Sequence, residues 1–274
     1  MPGDGEPGDV DGVVPACDLT APFGPVVPVP GLADPTYVEA TIRLTSDELT
    51  GYLWTTRVGN IDLDVARRAS PGSPFSLTAI GELNTPAAEF EPAISADELT
   101  LVFRSSRTGG TGSADLYVAR RSSRTSSFTL VGEVPNVNTP SDEIQPFLTA
   151  SALYFTSARA GDFDLYRSAF TGTTFGLPTM VEVSTVGVDE SDAALSADEL
   201  ALYFTSGAAG ELGVGDIWVA TRASTSDSFG SAMPLPALSS PAYEGASWLS
   251  VDSCRIYISS TRAGTPDIYV ATRP

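Results

Sequence analysis

Short apolar runs, each a few residues long and separated by turns, recur along the chain. One run in each repeat is hydrophobic on both faces, which is typical of a strand that is covered on both sides. One face carries Leu101 and Phe103, Leu153 and Phe155, Leu202 and Phe204, and Ile256 and Ile258, whereas the other carries Val102, Tyr154, Tyr203 and Tyr257. No segment keeps a helical period with caps at its ends. The pattern predicts an all-β protein whose sheets pack against one another.

The runs belong to a repeat of 47 to 54 residues. In each copy a glutamate is followed six residues later by Ser or Thr at the head of a turn: Glu39/Thr45, Glu89/Ser95, Glu143/Thr149, Glu190/Ser196 and Glu244/Ser250. A period of this length indicates an array or a ring. The second copy has four β-type runs, at 91–95, 99–105, 115–119 and 128–134. We predict a five-bladed β-propeller with four antiparallel strands in each blade.

The fifth repeat lacks a fourth strand, and the start of the chain supplies a matching segment. Phe23-Gly24 and the residues after it resemble Phe229-Gly230 and the exit from the fourth strand of repeat four. We therefore predict that residues 21–31 form the outer strand of the last blade, which would remove an exposed sheet edge. The fourth strands of repeats three and four are predicted at 174–181 and 229–235.

The two cysteines fit the same closure. Cys17 precedes the closing strand, and Cys254 opens the second strand of the blade that this strand joins. We predict a disulfide between them, which implies an oxidising compartment. The alternative is two unrelated thiols.

Charge restricts the partners. The 34 Asp and Glu residues, the 15 arginines and the absence of Lys and His give a formal net charge of −19. Nucleic acid and anionic membrane surfaces would be repelled, and no apolar run is long enough to span a bilayer. Residues 1–20 read as an acidic, Gly/Pro-rich disordered linker, and residues 21–274 as one propeller domain. We expect a monomer that is periplasmic, cell-surface or secreted, with an export signal or lipid anchor upstream. The alternative is a cytoplasmic protein with a flexible N-terminal segment.

Three stretches carry a family resemblance: Ser95-Ala96-Asp97-Glu98 with the strand that follows, Asp216-Ile217-Trp218-Val219, and Tyr257-Ile258-Ser259-Ser260-Thr261-Arg262. They resemble the TolB-like, WD-repeat-like β-propeller family of bacteria over about nine-tenths of the chain. The resemblance implies the propeller fold and an exported protein. It assigns no activity, because members occur as proteins of varied role or beside peptidase and peptidoglycan-binding domains. The family's turn glycine is replaced here by Glu48, Glu98 and Glu199.

Three charged positions recur at one edge of the blades. They are the glutamates Glu39, Glu89, Glu143, Glu190 and Glu244, the aspartates Asp62, Asp115, Asp164, Asp216 and Asp267, and the arginines Arg57, Arg107, Arg159 and Arg262. The arginine fork suits a bridge to the Asp of its own blade and to a nearby Glu, so one interpretation is a scaffold. The other is a carboxylate-rich face that binds a ligand or a cationic peptide. Glu91, Asp142, Asp189 and Asp192 lie close in sequence to the same edge.

Four residues break the repeat and are better candidates for a specific site: Arg43, Trp54, Asp64 and Trp248. The alternative for them is local repacking. Neither a cofactor nor a metal is expected, although Asp62 with Asp64 and Asp162 with Asp164 offer oxygen ligands that would suit calcium.

The absence of His and Lys excludes Ser-His-Asp and Cys-His catalysis, His-ligated zinc and Schiff-base chemistry. Paired carboxylates remain, and five-bladed propellers include glycoside hydrolases that use them. We expect a non-catalytic module that binds a protein, a peptide or another ligand, with a glycoside hydrolase as the alternative.

Overall fold

The computed structural model describes residues 17–208 and 212–274, and the described chain is a ring of five antiparallel blades without a helix. Blade one contains β2 Glu39–Leu44, β3 Thr50–Thr55, β4 Asp62–Arg67 and β5 Ser76–Ala79. Blade two contains β6 Glu89–Ile94, β7 Thr100–Ser105, β8 Asp115–Arg120 and β9 Thr129–Glu133. Blade three contains β10 Glu143–Leu148, β11 Ala152–Ser157, β12 Asp164–Ala169 and β13 Thr179–Met180. Blade four contains β14 Glu190–Leu195, β15 Ala201–Ser206, β16 Asp216–Thr221 and β17 Met233–Pro234.

Blade five is built from both ends of the described chain. It contains β18 Glu244–Leu249, β19 Arg255–Ser260, β20 Asp267–Thr272 and, from the start of the chain, β1 Val27–Pro28. Val27 pairs with Val270, and the amide of Gly24 donates to the carbonyl of Thr272 at 2.9 Å. The five-bladed fold and its closure by an N-terminal strand are therefore confirmed.

The outer strands are shorter than the sequence predicts. The segment 21–31 contributes only Val27–Pro28 to the ladder, and 229–235 contributes only Met233–Pro234. In blade three the predicted strand 174–181 is reduced to Thr179–Met180. Prolines 25, 28 and 30 have no amide hydrogen to donate, so much of the closing segment cannot extend the ladder.

Cys17 and Cys254 form the predicted disulfide, with their Cα atoms 5.7 Å apart. Residues 17–20, which the sequence assigns to the linker, are anchored beside it, since the amide of Asp18 donates to the carbonyl of Pro274 at 2.8 Å. The rest of the predicted linker lies outside the described residues. Within the described ranges, no helix is long and apolar enough to cross a bilayer.

The blades expose two different faces. The inner strands begin at the five repeated glutamates, and we call that side the glutamate face. They end at the Ser/Thr-headed turns, and we call the opposite side the turn face. The replacements of the family's turn glycine lie on the turn face, where Glu48, Glu98 and Glu199 adopt left-handed backbone with φ of 59°, 63° and 60°. Each of these glutamates pairs with the arginine that follows the third strand of its blade, and Glu48 also pairs with Arg255 of β19. These contacts offset the cost of that conformation.

Neighbouring blades are joined on the turn face by one repeated side-chain contact. The arginine after a third strand donates to the tyrosine hydroxyl of the preceding blade's second strand: Arg121 to Tyr52, Arg273 to Tyr203 and Arg68 to Tyr257. At the seam between blades two and three, both partners change. Val102 stands in place of the tyrosine and Phe170 in place of the arginine, and the two belong to one buried apolar cluster. These four seams are satisfied either by a hydrogen bond or by apolar packing. At the fifth, between blades three and four, the Tyr154 hydroxyl and Arg222 Nη2 are buried without a hydrogen-bond partner among the described residues.

Candidate functional site

The repeated glutamates are buried at the start of the inner strands and tie each blade to the one before it. The amide of Glu89 donates to the carbonyl of Ile61 at 3.0 Å, and that of Glu143 donates to Ala114 at 2.9 Å. The same contact joins Glu39 to Pro266, Glu190 to Phe163 and Glu244 to Gly215. All five side chains are at most 2 % exposed.

Four of the five glutamate carboxylates, all except that of Glu190, also pair with an arginine and accept further hydrogen bonds. That of Glu89 accepts the amide and hydroxyl of Thr85 at 2.9 and 2.7 Å, the Ser105 hydroxyl at 3.1 Å and Arg107 Nη2 at 3.2 Å. The equivalent ion pairs are Arg57–Glu39, Arg159–Glu143 and Arg262–Glu244, at 2.6, 3.1 and 3.2 Å. These glutamates therefore hold two loops together within a blade.

The repeated aspartates do not take part in those ion pairs. The sequence predicts that each arginine bridges the Asp of its own blade as well as a Glu, and among the described residues the arginines reach only the Glu. The aspartate instead faces the glutamate of the next blade. Burial raises the pKa of Asp267 to about 6, and Glu39 adds repulsion. Burial, and then Glu89, likewise raises the pKa of Asp62.

Repeat four provides an internal comparison, because it has no arginine after its second strand. Burial raises the pKa of Glu190 to about 7 there, with Asp164, Asp162 and Asp189 contributing repulsion. The amide of Thr185 still donates a hydrogen bond to the Glu190 carboxylate, at 3.1 Å.

These raised pKa values predict that the protein loses stability as the pH rises. Asp267, Glu190 and Asp192 hold protons in the folded state up to about pH 6–7, whereas unfolded carboxyls release them near pH 4. The folded chain therefore binds more protons between about pH 4 and 7, and its stability falls across that window. We expect the melting temperature to be roughly 5 °C higher at pH 5.5 than at pH 8.

Differential scanning calorimetry in buffers of equal ionic strength measures this shift. Asp192→Asn imitates the protonated carboxyl, so it should flatten the pH dependence. Asp227→Asn, on an exposed aspartate, is the matched control. A melting temperature that rises from pH 5.5 to 8 would contradict the assignment.

At the centre of the ring, the inner strands contain left-handed residues that are not glycine. The third residue of the strand has φ of 55° at Thr41, 53° at Glu91, 52° at Gln145 and 52° at Asp192, each beside a bulge. Such backbone is costly for these residue types, above all for the β-branched threonine. The conformation turns the amide of each residue away from its own ladder.

Three of these four amides, those of Thr41, Gln145 and Asp192, form hydrogen bonds to the neighbouring blade. The amide of Gln145 donates to the Glu91 carboxylate at 2.7 Å, and the amide of Asp192 donates to Gln145 Oε1 at 3.4 Å. The amide of Thr41 donates in the same way to the Ser259 hydroxyl oxygen at 2.8 Å. The Asp192 carboxylate accepts the hydroxyl of Tyr243. The central polar residues thus form a relay of hydrogen bonds from blade to blade.

Arg43 closes the channel below this relay. It is 2 % exposed, and its guanidinium donates to the carbonyls of Ser247 and, at 3.1 Å, of Pro146, while lying 4.9 Å from the centre of the Phe147 ring. Full burial lowers its pKa to about 10, although Asp192 and Glu91 favour the charged form. One side chain from blade one therefore bridges blades three and five.

Two carboxyls near Arg43 have raised pKa values. Burial raises the pKa of Asp192 to about 7, with the Tyr243 hydrogen bond acting in the opposite direction and Glu91 adding repulsion. Burial also raises the pKa of Glu91, against the attraction of Arg104 at 3.5 Å.

The other non-repeating candidates are dispersed. Trp54 packs edge-on against Phe90 with ring centres 5.2 Å apart, and it lines a small cavity on the glutamate side of Arg43. Asp64 is buried in β4 with one carboxylate oxygen unpartnered, and burial raises its pKa to about 6. Trp248 lies at the turn face. The structure does not bring these residues together into one site.

Two neighbouring cavities open around the relay. One of ≈ 130 Å³ is lined by Trp54, Glu91, Gln145, Asp192 and Tyr243 among others. A larger depression of ≈ 500 Å³, which we call the glutamate-face mouth, shares two of these residues and adds others from blades three to five. Its lining consists of Ile144, Gln145, Phe163, Gly187, Val188, Asp189, Ser191, Thr205, Gly207, Val214, Gly215 and Tyr243.

Gln145 and Tyr243 line both cavities, and the sequence patterns did not indicate either of them. A comparison of the position two residues after each repeated glutamate would have found the first, because Thr41, Glu91, Gln145, Asp192 and Ala246 differ there while the strands around them agree.

Within the described chain, no three Asp, Glu, Cys or His residues are grouped so that they could hold a metal ion. The calcium hypothesis on Asp62 with Asp64 and Asp162 with Asp164 stays a prediction. A melting temperature that rises with Ca²⁺ and falls with EDTA would support it, since a ligand that binds only the folded state stabilises it.

No family model and no curated protein matches the chain by sequence. Solved structures match it by fold. TolB from Acinetobacter baumannii is 16% identical over 91% of this chain and 55% of its own, with a TM-score of 0.50. The likeness to TolB is one of β-propeller fold. This propeller thus spans little more than half of that TolB chain.

Glycoside hydrolases share the fold as well. A family 117 enzyme produced by Zobellia galactanivorans is 12% identical over 92% of this chain and 90% of its own, with a TM-score of 0.62. A thermostable family-43 enzyme is 13% identical over 90% and 91%, with a TM-score of 0.58. At these identities the likeness concerns the fold alone.

Proposed function

We propose that this propeller is an exported, non-catalytic binding module that holds a protein or peptide over the glutamate-face mouth. The observation that carries the proposal is the mouth itself, an open depression of ≈ 500 Å³ that is lined by residues of blades three, four and five.

The lining of the mouth combines a few polar groups with apolar ones, as ligand sites do. Gln145, Ser191 and Tyr243 offer amide and hydroxyl groups, and Phe163 and Val188 offer apolar surface. Val214, also in the lining, is 79% exposed. An exposed valine beside a depression suits a partner that covers it.

Charge favours a cationic partner. The formal net charge is −19, and Asp142 and Asp189 lie partly exposed on the loops of this face. A field of one sign attracts and steers a ligand of the opposite sign. The repeated Glu and Asp residues contribute to that field from buried positions.

We propose a non-catalytic module because the carboxylates at the centre of the ring already have structural hydrogen-bond partners. Glu91 accepts the amide of Gln145, and Asp192 accepts the hydroxyl of Tyr243, so both stabilise strained backbone or a neighbouring blade. Export is supported by the Cys17–Cys254 disulfide, because such bonds persist in oxidising compartments.

Fluorescence anisotropy with cationic and anionic peptides of equal length tests the proposal. Val214→Arg places a repelling charge in the mouth and should weaken binding of the cationic peptide at least tenfold. Val131→Arg is the matched control, since Val131 is 62% exposed on the outer strand of blade two. Equal effects of the two variants, or equal binding of both peptides, would reject the glutamate-face mouth as the site.

A glycoside hydrolase is the second candidate, because Glu91 and Asp192 line one cavity and both have raised pKa values. A raised pKa is what a general acid needs, and a second carboxylate would act as base or nucleophile. A panel of chromogenic glycosides at pH 4–8 measures this activity. Turnover that Glu91→Gln or Asp192→Asn abolishes, with unchanged folding, would replace the binding proposal by an enzymatic one.

A further inference from the structure

A second depression lies on the turn face, at the opposite end of the channel. Its volume is ≈ 260 Å³, and every blade contributes to its wall. The wall contains one aliphatic side chain from the sixth position of each inner strand: Leu44, Ile94, Leu148, Leu195 and Leu249. We call this depression the axial well.

Two aromatic residues extend the apolar wall. Phe147 and Trp248 line the well beside the aliphatic ring. Arg43, whose guanidinium lies against the Phe147 ring and bonds to the Ser247 and Pro146 carbonyls, separates the two ends of the channel. An engineered apolar cavity of about 150 Å³ holds benzene, so the well is large enough for an aromatic ring or a branched aliphatic group.

Three hydroxyl groups of the wall are already engaged in their own turns. Thr45 donates to Asp47, Ser95 donates to Asp97 and Ser196 donates to Asp198, each at 2.6 Å. The group that enters the well therefore gains contact with carbon atoms and little hydrogen bonding.

The rim of the well has small apolar side chains, and Ser46, Glu98 and Glu199 add polar groups to the lining. Glu98 and Glu199 are paired with Arg121 and Arg222. Acidic residues lie around the rim, and one of them, Asp252, is 3.9 Å from Arg255. Ala96, Ala150, Ala197 and Val251 line the opening from four blades. The next residues outward include the four turn aspartates Asp47, Asp97, Asp198 and Asp252. The hydrogen bond from Thr45 lowers the pKa of Asp47, which keeps this carboxylate charged at neutral pH. A ligand with an apolar centre and positive flanks would match both parts.

We propose that the axial well is a binding site for a peptide that inserts one aromatic or branched aliphatic side chain between neighbouring Lys or Arg residues. The site lies on the opposite face from the glutamate-face mouth and uses none of its lining residues, so it stands or fails independently of the function proposed above.

The emission of Trp248 reports occupation of the well. Trp54→Phe and Trp218→Phe remove the other two tryptophans, which leaves Trp248 as the single emitter. The probes are Lys-Lys-Phe-Lys-Lys, the same peptide with Ser in place of Phe, and Glu-Glu-Phe-Glu-Glu. We expect a saturable change in emission with the first and binding at least tenfold weaker with the other two. Equal binding of the first two peptides would remove the role of the apolar well, and equal binding of the two Phe peptides would remove the role of the aspartates.

Two pairs of variants locate the binding. Ala197→Phe fills the rim and should weaken binding of Lys-Lys-Phe-Lys-Lys at least tenfold, whereas Ala79→Phe, on an exposed residue of the outer strand β5, should not. Asp97→Asn should weaken it about threefold at low salt, whereas Asp227→Asn should not. The Asn side chain keeps an oxygen that can accept the turn hydrogen bonds of Asp97, so the charge is the main change.

Other occupants would give different results. Binding that Val214→Arg abolishes and Ala197→Phe leaves intact would assign the peptide to the glutamate-face mouth and overturn the proposal. A concentration-dependent dimer in sedimentation experiments that Ala197→Phe dissociates would assign the well to a second copy of the chain. A shift of Trp248 emission on deletion of residues 1–16, without any peptide, would assign it to the chain itself.

Discussion

Replacing Cys17 by serine is expected to lower the free energy of unfolding by about 3–5 kcal/mol. The bond joins residues 237 apart in the sequence, so its loss releases nearly the whole chain in the unfolded state. It also frees the closing segment, which the ladder holds through only Val27 and Pro28. Cys17 is the better position for the change, because Cys254 is almost fully buried and a serine hydroxyl there would add a cost of its own.

Equilibrium unfolding in guanidinium chloride, followed by tryptophan fluorescence, measures this loss. Reduced wild-type protein should unfold close to the Cys17→Ser variant, and the reductant should have no further effect on that variant. Coincident unfolding midpoints for oxidised and reduced wild type would show that the disulfide contributes nothing to the closure.

Replacing Arg43 by methionine is expected to cost about 3–5 kcal/mol. Methionine keeps much of the apolar stem, but the carbonyls of Ser247 and Pro146 lose their donor, and Asp192 and Glu91 lose a buried cation that favours their charged forms. Arg67→Met, on an exposed arginine of the same blade, should change stability by no more than about 0.5 kcal/mol.

The loss should depend on pH in a defined direction. Asp192, with a pKa of about 7, is mostly protonated at pH 5.5, so fewer unpaired charges remain in the variant at that pH than at pH 8. Chemical unfolding of Arg43→Met and wild type at the two pH values tests this. If the variant and the wild type differ more in their free energy of unfolding at pH 5.5 than at pH 8, Arg43 acts through packing against Phe147 and not through its charge.

The architecture could be predicted because each blade repeats the same local chemistry. A glutamate, a Ser/Thr-headed turn and a strand apolar on both faces occur five times, and the likeness of Phe23-Gly24 to Phe229-Gly230 indicates the closure. The short outer strands were not predicted, because an apolar run such as 229–235 does not reveal which of its amides find a partner. Prolines at 234 and 236 were the available signal.

The centre of the ring was harder to predict for a physical reason. Thr41, Glu91, Gln145 and Asp192 share a backbone conformation and not a side-chain type, so they give no repeating letter in the sequence. Their contacts join residues about 50 positions apart that become neighbours only when the ring closes. The aliphatic residues of the axial well occupy the sixth position of each inner strand, so the sequence contains this pattern. A leucine in a strand usually indicates a core position, however, and the pattern therefore did not indicate a binding site.

The one apolar seam limits how these blades could be rearranged. Val102 of blade two and Phe170 of blade three belong to one apolar cluster, whereas three other seams join a tyrosine hydroxyl to an arginine. The fifth seam places Tyr154 and Arg222 at these positions without a hydrogen bond between them. If blade three followed blade one, Phe170 would leave the hydroxyl of Tyr52 without a donor. If blade four followed blade two, Arg222 would face Val102. Despite their similar sequences, the five blades are therefore not interchangeable modules, and gene shuffling or engineered blade swaps would have to move blades two and three together.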